Sequence, residues 1–413
     1  MDTLKKVSLQ TLWQLIGKTI TSSFTVLILF LITRTYGESG TGVFTLALTY
    51  LSFFFLIADF GINAHILARP TEGDYSLEWR KLLGLRLVLS VFLTALALLI
   101  LPFLPYDNPS FNLAVIFGSL SIIGAGVFAT VNAIFQQKLL YNKSITATAL
   151  GTVIGAGGVG LMILARLPIE VLMSVQVLGW SLTASAGLFL VRGFVKSLLP
   201  IIDFGYIKKI FIESWPISLT LVLNTIYFRV DAFILGALTS FTEVGIYNVS
   251  YAIFQSALVI PTYIMNSYYP IMIQDLKTDF KKFSKEFKIA GLSLATIGLV
   301  GMIVTFVLSP FIIGLITGNR GFEGSSSVLN LLGLGFPAYF LTSLMMWALV
   351  LFKKYKTLSL IYFLGLVANL GLNLVLIPRF SFLGAAVATS FSEYLILGAQ
   401  IIILYKEFKD RSK

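Results

Sequence analysis

The chain has 413 residues, 57% of them hydrophobic and only 12% charged, with a mean hydropathy of +0.90. No water-soluble fold of this size has that balance, and with no cysteine and one histidine, disulfides, thiolate metal sites and Cys–His nucleophile pairs are excluded as well. The formal charge of +11 would suit nucleic acid, but the placement of the bases gives it another meaning.

Apolar runs of about 20 residues recur from end to end, each long enough to cross a bilayer as a helix. They are continuous rather than alternating, which argues against a membrane barrel. Cutting at charge clusters and turn residues predicts twelve spans, roughly 8–33, 41–64, 82–104, 113–136, 144–165, 171–191, 214–237, 244–272, 289–316, 326–352, 358–377 and 384–405. The first run has no small-residue cleavage site and reads as a retained span. The fold class is therefore an all-α polytopic membrane protein. The inner loop at 192–213 divides the spans six and six, which predicts an N-terminal lobe over 1–200 and a C-terminal lobe over 201–413. A short echo, Gly42-Val43-Phe44 against Gly245-Ile246-Tyr247, fits two parallel repeats.

Twenty-three of the thirty Lys and Arg fall at the termini and in every second loop, against Arg34, Arg166, Arg320 and Arg379 in the opposite loops. Such a bias places the basic side and both termini in the cytoplasm. The charge is thus a topology signal with affinity for anionic headgroups, and implies no nucleic acid. In Gln274–Lys288, Leu276, Phe280, Phe283 and Phe287 recur at helical spacing opposite lysines. That pattern predicts a helix lying in the inner membrane interface, or alternatively a solvated connector.

Polar residues line up on several spans at 100° per residue. Span 1 aligns Gln10, Gln14, Lys18, Thr21 and Thr25, and span 2 aligns Thr45, Thr49, Ser52, Asp59 and Asn63. Span 8 aligns Asn248, Tyr251, Gln255, Thr262, Asn266 and Tyr269, with Pro261 as a bend, and span 12 aligns Thr389, Glu393 and Gln400. Span 7 carries Asn224, Tyr227 and Asp231 on one side, with Thr225 and Arg229 nearly opposite. Such stripes serve either as interhelical glue or as the lining of a hydrated cavity. The stripes of spans 1, 2, 7 and 8, the first two helices of each half, together favour the cavity. The glycine cluster GTVIGAGGVG (Gly151–Gly160) reads as close helix packing.

A charge in mid-membrane costs several kcal/mol or more and marks a site. Lys18 and Arg229 lie mid-span, so the cavity is expected to be cationic at depth and suited to a phosphate-bearing ligand. The alternative is that Arg229 pairs with Glu393 or Asp59. Expected substrate-binding residues are Lys18, Arg229, Gln14, Asn248, Tyr251, Gln255 and Asn266. Expected ion-coupling residues are Asp231, Glu393 and Asp59, with Asp231 lining water.

Three segments carry a family resemblance. YGESGTGVFTLALTYLSFFFLIADFGINAHILAR (Tyr36–Arg69), DAFILGALTSFTEVGIY (Asp231–Tyr247) and FLGAAVATSFSEY (Phe382–Tyr394) resemble, in order, segments of bacterial O-antigen and polysaccharide flippases. Those proteins belong to the multidrug/oligosaccharidyl-lipid/polysaccharide exporter superfamily. The resemblance implies a V-shaped bundle of two six-helix lobes in the cytoplasmic membrane. It implies alternating-access export of a polyprenyl-diphosphate-linked oligosaccharide, with other polysaccharide-assembly proteins as partners. It also implies no cofactor beyond a coupling H⁺ or Na⁺. The rivals are a multidrug or small-solute antiporter on the same fold, and a membrane polymerase or ligase acting on lipid-linked sugars. An enzyme would need catalytic groups outside, where the loops hold little besides Glu38, Asp107, Glu170, Glu243 and Glu323. His65 reads as structural.

Overall fold

The computed structural model describes residues 2–59, 62–63 and 76–411, and among these there is no strand. The helices are α1 (Asp2–Asp59), α2 (Ser76–Ile100), α3 (Pro109–Gly118), α4 (Ser121–Gln137), α5 (Tyr141–Leu164), α6 (Ser174–Val191) and α7 (Phe204–Leu238). They continue with α8 (Phe241–Ala257), α9 (Val259–Thr278), α10 (Phe280–Thr317), α11 (Ser325–Gly333), α12 (Phe336–Leu351) and α13 (Tyr355–Arg411). Among the described residues, nine helical stretches are long and apolar enough to cross a membrane. Two of them are bent pairs: α1 turns at Gly37 (φ 65°) and α13 at Ser381 (φ 49°). Both bends fall where the sequence places turns between spans.

Three predicted spans are each made of two helices. The 113–136 run breaks at Ser119–Leu120, between α3 and α4; 244–272 breaks at Leu258; and 326–352 breaks at Leu334–Gly335. A break inside a bilayer must satisfy the backbone groups it frees. At the first one the Ser119 hydroxyl donates to the Ile116 carbonyl (2.9 Å) and the Ser121 hydroxyl to that of Gly118 (2.5 Å). Pro261 and Pro337 sit in the first turns of α9 and α12, where a missing N–H breaks no helical bond.

Both long inner loops turn out to be largely helical. α7 begins at Phe204, because the Asp203 carboxylate accepts from the Tyr206 amide (3.0 Å) and caps the helix. Lys81 lies 2.7 Å from the same carboxylate. The hydrogen bond from Lys81, and then the one from the Tyr206 amide, hold the Asp203 carboxyl below its usual pKa. The expected interfacial helix over Gln274–Lys288 is absent as a separate element. α9 runs on to Thr278, Asp279 caps α10, and α10 continues directly into its span. The phenylalanine face is core: Phe283 is fully buried, 5.7 Å from the rings of both Phe352 and Phe408. Helical spacing alone does not separate a face turned to lipid from one met by aromatic rings on other helices.

The chain divides into two compact units. The first comprises Met1–Tyr36 with Val43–Thr225, and the second Gly37–Gly42 with Ile226–Lys413. In the first, Trp79 and Leu83 of α2 pack with Val131 and Phe135 of α4 and Val191 of α6. The glycine cluster faces two ways. A Cβ on Gly151 would lie 2.0 Å from the Thr183 hydroxyl and 2.4 Å from the Gly179 carbonyl, so α5 packs backbone-close on α6 there. Gly157 and Gly160 face open space.

In the second unit, the two echoing glycines meet. A Cβ on Gly42 would lie 1.7 Å from the Phe241 carbonyl oxygen, and one on Gly245 2.0 Å from that of Glu38. The Glu38 carboxylate also accepts from the Phe322 amide, tying residues 37–42 to the turn before α11. On α10, Leu292, Val307, Phe311 and Leu315 are exposed along one side, as a lipid-facing surface requires.

The α5 geometry sets an expectation. Gly151→Ala must push Thr183 or the α6 backbone away and should lower the thermal midpoint of the detergent-solubilised protein. Gly160→Ala meets nothing and should leave the midpoint unchanged or raised, since alanine is favoured over glycine within a helix by about 1 kcal/mol.

Candidate functional site

A buried polar cluster in the second unit is assembled from residues one helical turn apart on two helices. Tyr227 and Asp231 are spaced i, i+4 on α7, and Thr389 and Glu393 are spaced i, i+4 on α13, so each pair shares a face. The two pairs bond crosswise. The Thr389 hydroxyl donates to Asp231 Oδ2 (3.1 Å), and the Tyr227 hydroxyl donates to Glu393 Oε2 (2.7 Å). A third helix completes each carboxylate. Tyr247 of α8 donates to Asp231 Oδ2, and Thr342 of α12 donates to Glu393 Oε1 (2.5 Å). Asp231 Oδ1 further accepts from the Ala232 amide (2.8 Å).

Both acids are buried, Asp231 at 2% and Glu393 at 3% exposure. The expectation that Asp231 lines water is therefore corrected: its polar face is met by hydroxyls from α8 and α13. Hydroxyls both donate and accept. A carboxyl among them can be held ionised or, with a hydroxyl reversed, protonated. Among the described residues no group of three or more His, Cys, Asp and Glu is placed to hold a metal ion.

Arg229 leaves α7 in another direction, as its spacing from Asp231 requires. Its Nη2 donates to Gln255 Oε1 (2.7 Å), and its guanidinium carbon lies 5.1 Å from the Tyr251 ring centroid, a cation–π contact. Tyr251 is itself fixed by donating to the Phe228 carbonyl. One stripe of α8, Tyr247, Tyr251 and Gln255, thus receives Asp231, the α7 backbone and Arg229 in turn. Three residues expected to bind substrate, Arg229, Tyr251 and Gln255, are brought together. Among the described residues Arg229 forms no ion pair within 4.0 Å, and Glu393, suggested as its partner, is occupied by hydroxyls. Asn248 is buried on α8. The side chains of Lys18, Gln14 and Asn266 lie outside the described residues, as do His65 and the side chain of Asn224.

In the first unit Asp59 has its own partner. Arg86 of α2, fully buried, donates from Nη2 to Asp59 Oδ1 (2.8 Å) and to Asn63 Oδ1 (2.8 Å). The sequence shows Arg86 only as one more in-span base; the i, i+4 spacing of Asp59 and Asn63 is the signal that a single donor serves both. Elsewhere on that stripe the hydroxyls bond their own helix: Thr49 to the Thr45 carbonyl (2.7 Å) and Ser52 to that of Thr49 (2.6 Å). On span 1, Thr25 does the same with Thr21 (2.9 Å).

The Glu393 triad gives a stability test. Tyr227→Phe or Thr342→Val removes one donor from a buried carboxylate, and each should cost about 1–3 kcal/mol. Adding Glu393→Met to the Tyr227→Phe/Thr342→Val pair removes the unsatisfied acid and should recover much of that loss. Unfolding of the detergent-solubilised variants checks the cycle; additive losses would show that the three groups do not act together.

Comparison with known proteins agrees with this architecture. A family model described as "Polysaccharide biosynthesis protein" matches residues 8–275, and the MatE model matches residues 216–375. No curated protein matches the chain. Among solved structures it is similar to the lipid II flippase MurJ in an inward closed conformation. The TM-score is 0.77 at 13% identity, covering 96% of this chain and 89% of that one. An inward-facing multidrug resistance MATE transporter gives 0.77 at 12% identity, covering 94% and 95%. A transporter of the same superfamily from Pyrococcus furiosus gives 0.64 at 14% identity, covering 99% and 96%. These identities speak for the fold alone, whereas the first family model covers well over half of the chain. The chain belongs to the polysaccharide biosynthesis protein family and has the multi-pass helical fold of the multidrug/oligosaccharidyl-lipid/polysaccharide exporter superfamily.

Proposed function

We propose that the protein is a flippase that moves a polyprenyl-diphosphate-linked oligosaccharide, an O-antigen or other surface-polysaccharide unit, across the cytoplasmic membrane by alternating access. The observation that carries this reading is Arg229. It is a base in a membrane span, held by an amide and an aromatic ring instead of a carboxylate. A guanidinium in that setting has donors left over for a ligand, and a diphosphate suits it. Lys18, from the first span, would be the second base, and Gln14, Asn248, Tyr251, Gln255 and Asn266 would meet sugar. The MurJ likeness supports the substrate class, since that protein is a flippase for lipid II. The MatE match over residues 216–375 favours a second reading, a small-solute antiporter, for which the acids of the second unit would be the working groups.

Coupling to H⁺ or Na⁺ is assigned to Asp231, with Glu393 and Asp59 as further carriers. The hydroxyls around Asp231 supply the hard oxygens that a cation needs and the reversible donors that a proton needs. Arg229→Ala should lose lipid-diphosphate binding and surface polysaccharide at normal membrane abundance. Asp231→Asn should keep binding and lose the response to an imposed pH or Na⁺ gradient in reconstituted transport. Equal loss of binding in both would join the two residues into one unit; normal polysaccharide in Arg229→Ala would remove it from the mechanism and favour the antiporter.

The topology proposed is twelve spans with both termini in the cytoplasm. In this cysteine-free chain, single cysteines at Asn108 and Lys413 should be labelled from outside and inside respectively. Labelling from the same side would refute it.

A further inference from the structure

Trp347 of α12 and Tyr269 of α9 are both half-buried, and their ring centroids lie 4.4 Å apart at an interplanar angle of 45°. Two other tryptophans are committed to the fold. The Trp79 indole N–H donates to the Ser197 carbonyl (3.0 Å), and the Trp180 ring packs against Phe55 and Phe128. Among the described residues Trp347 makes no ring contact except with Tyr269, and neither its N–H nor the Tyr269 hydroxyl forms a hydrogen bond. Each ring has a hydroxyl on its own helix face. Ser343 precedes Trp347 by one turn of α12, and Thr262 precedes Tyr269 by two turns of α9. Many hydroxyls in these helices turn back on their own backbone, as Thr305 does to the Gly301 carbonyl (2.8 Å) and Ser392 to that of Ala388 (2.7 Å). Those of Ser343 and Thr262 form no such bond among the described residues, and Thr262 is exposed.

The side of α9 that carries these groups is not its lipid side. Ile260 and Ile271, 45% and 47% exposed, lie on the opposite side of the helix at about 100° per residue. Thr262 and Tyr269 instead continue the stripe of Tyr251 and Gln255, the residues that hold Arg229. We infer that Trp347 and Tyr269 are a platform for one sugar ring of the transported oligosaccharide, with Ser343 and Thr262 as partners for its hydroxyls. This role presupposes the flippase reading of Arg229. A pyranose has a face of C–H groups and a rim of hydroxyls. The aromatic surface covers the first, and the uncommitted N–H and O–H groups meet the second. The same chemistry excludes other occupants. None of the four side chains is charged, so a phosphate finds no base here and a cation no carboxylate, Asp231 and Glu393 being met by their own hydroxyl donors. A prenyl chain needs no hydroxyls and is served by aliphatic faces such as that of α10.

The test uses the full-length protein in lipid nanodiscs and two probes. One is the polyprenyl-diphosphate-linked oligosaccharide extracted from the cells that make it, and the other is polyprenyl diphosphate without sugar. Wild type should bind the sugar-bearing lipid more tightly than the bare one. Trp347→Ala should weaken the sugar-bearing lipid about two- to tenfold, the range of one aromatic contact, and leave the bare lipid unchanged. Ser343→Ala keeps both rings in place, so it tests the site without disturbing the packing, and it should weaken the sugar-bearing lipid selectively as well. Arg229→Ala should weaken both lipids and preserve the difference between them. Equal weakening of both lipids by Trp347→Ala overturns the platform while the Arg229 reading stands, as does unaltered binding in both Trp347→Ala and Ser343→Ala. Equal binding of the two lipids by wild type also overturns the platform alone, whereas a wild type that binds neither overturns the flippase reading and the platform with it. Loss of tetraphenylphosphonium binding in Trp347→Ala, with both lipids unaffected, would give the rings to an organic cation through cation–π contact and overturn the platform too.

Discussion

The second unit depends on what happens to two carboxylates that are out of water. A buried acid is tolerable only when its lone pairs are met by donors, and Asp231 and Glu393 draw theirs from α7, α8, α12 and α13. The demand fixes register. Tyr227 and Asp231 must lie level with Glu393 and Thr389, which sets the register of α7 against α13. The same stripe of α8 that meets Asp231 then brings Tyr251 and Gln255 to Arg229. A base and an acid two residues apart on one helix are thereby given different surroundings, one among hydroxyls and the other beside an amide and a ring.

What the sequence makes legible is whatever rests on local pattern. Span positions follow from hydropathy, and the bends at Gly37 and Ser381 follow from short polar turns between apolar runs. The close face of the glycine cluster at Gly151 follows from the absence of side chains. Arg229 and Asp231 diverge because residues i and i+2 cannot share a helix face. Tyr227 with Asp231 and Thr389 with Glu393 stand at i, i+4, so each face is readable in advance. That the two faces meet is not, because it is a relation between segments more than 150 residues apart.

The failures have the same origin. The phenylalanines of Phe280–Phe287 look like a membrane-facing stripe until Phe352 and Phe408 are seen to cover them. Asp59 looks like a free counter-charge until Arg86 is found behind it. The inner loop at 192–213 hides the start of a helix, because that start depends on Asp203, whose capping role is reinforced from α2 by Lys81. Of the three broken spans, only 244–272 signals its bend, through Pro261; the other two read as continuous because the small hydroxyls and the proline at a break cost little in hydropathy.

The partners chosen for Asp231 and Glu393 have a consequence for how the protein responds to its solution. Hydroxyl-to-carboxylate bonds among buried groups lie beyond the reach of dissolved counter-ions, whereas Lys81–Asp203 sits where ions screen it within about a nanometre. Raising ionic strength therefore loosens the lysine-rich ends of the helices first and leaves the acid ladder intact. The two regions are separable by salt alone, and a molecule extracted at high salt keeps the register of its inner helices while its charged margins relax.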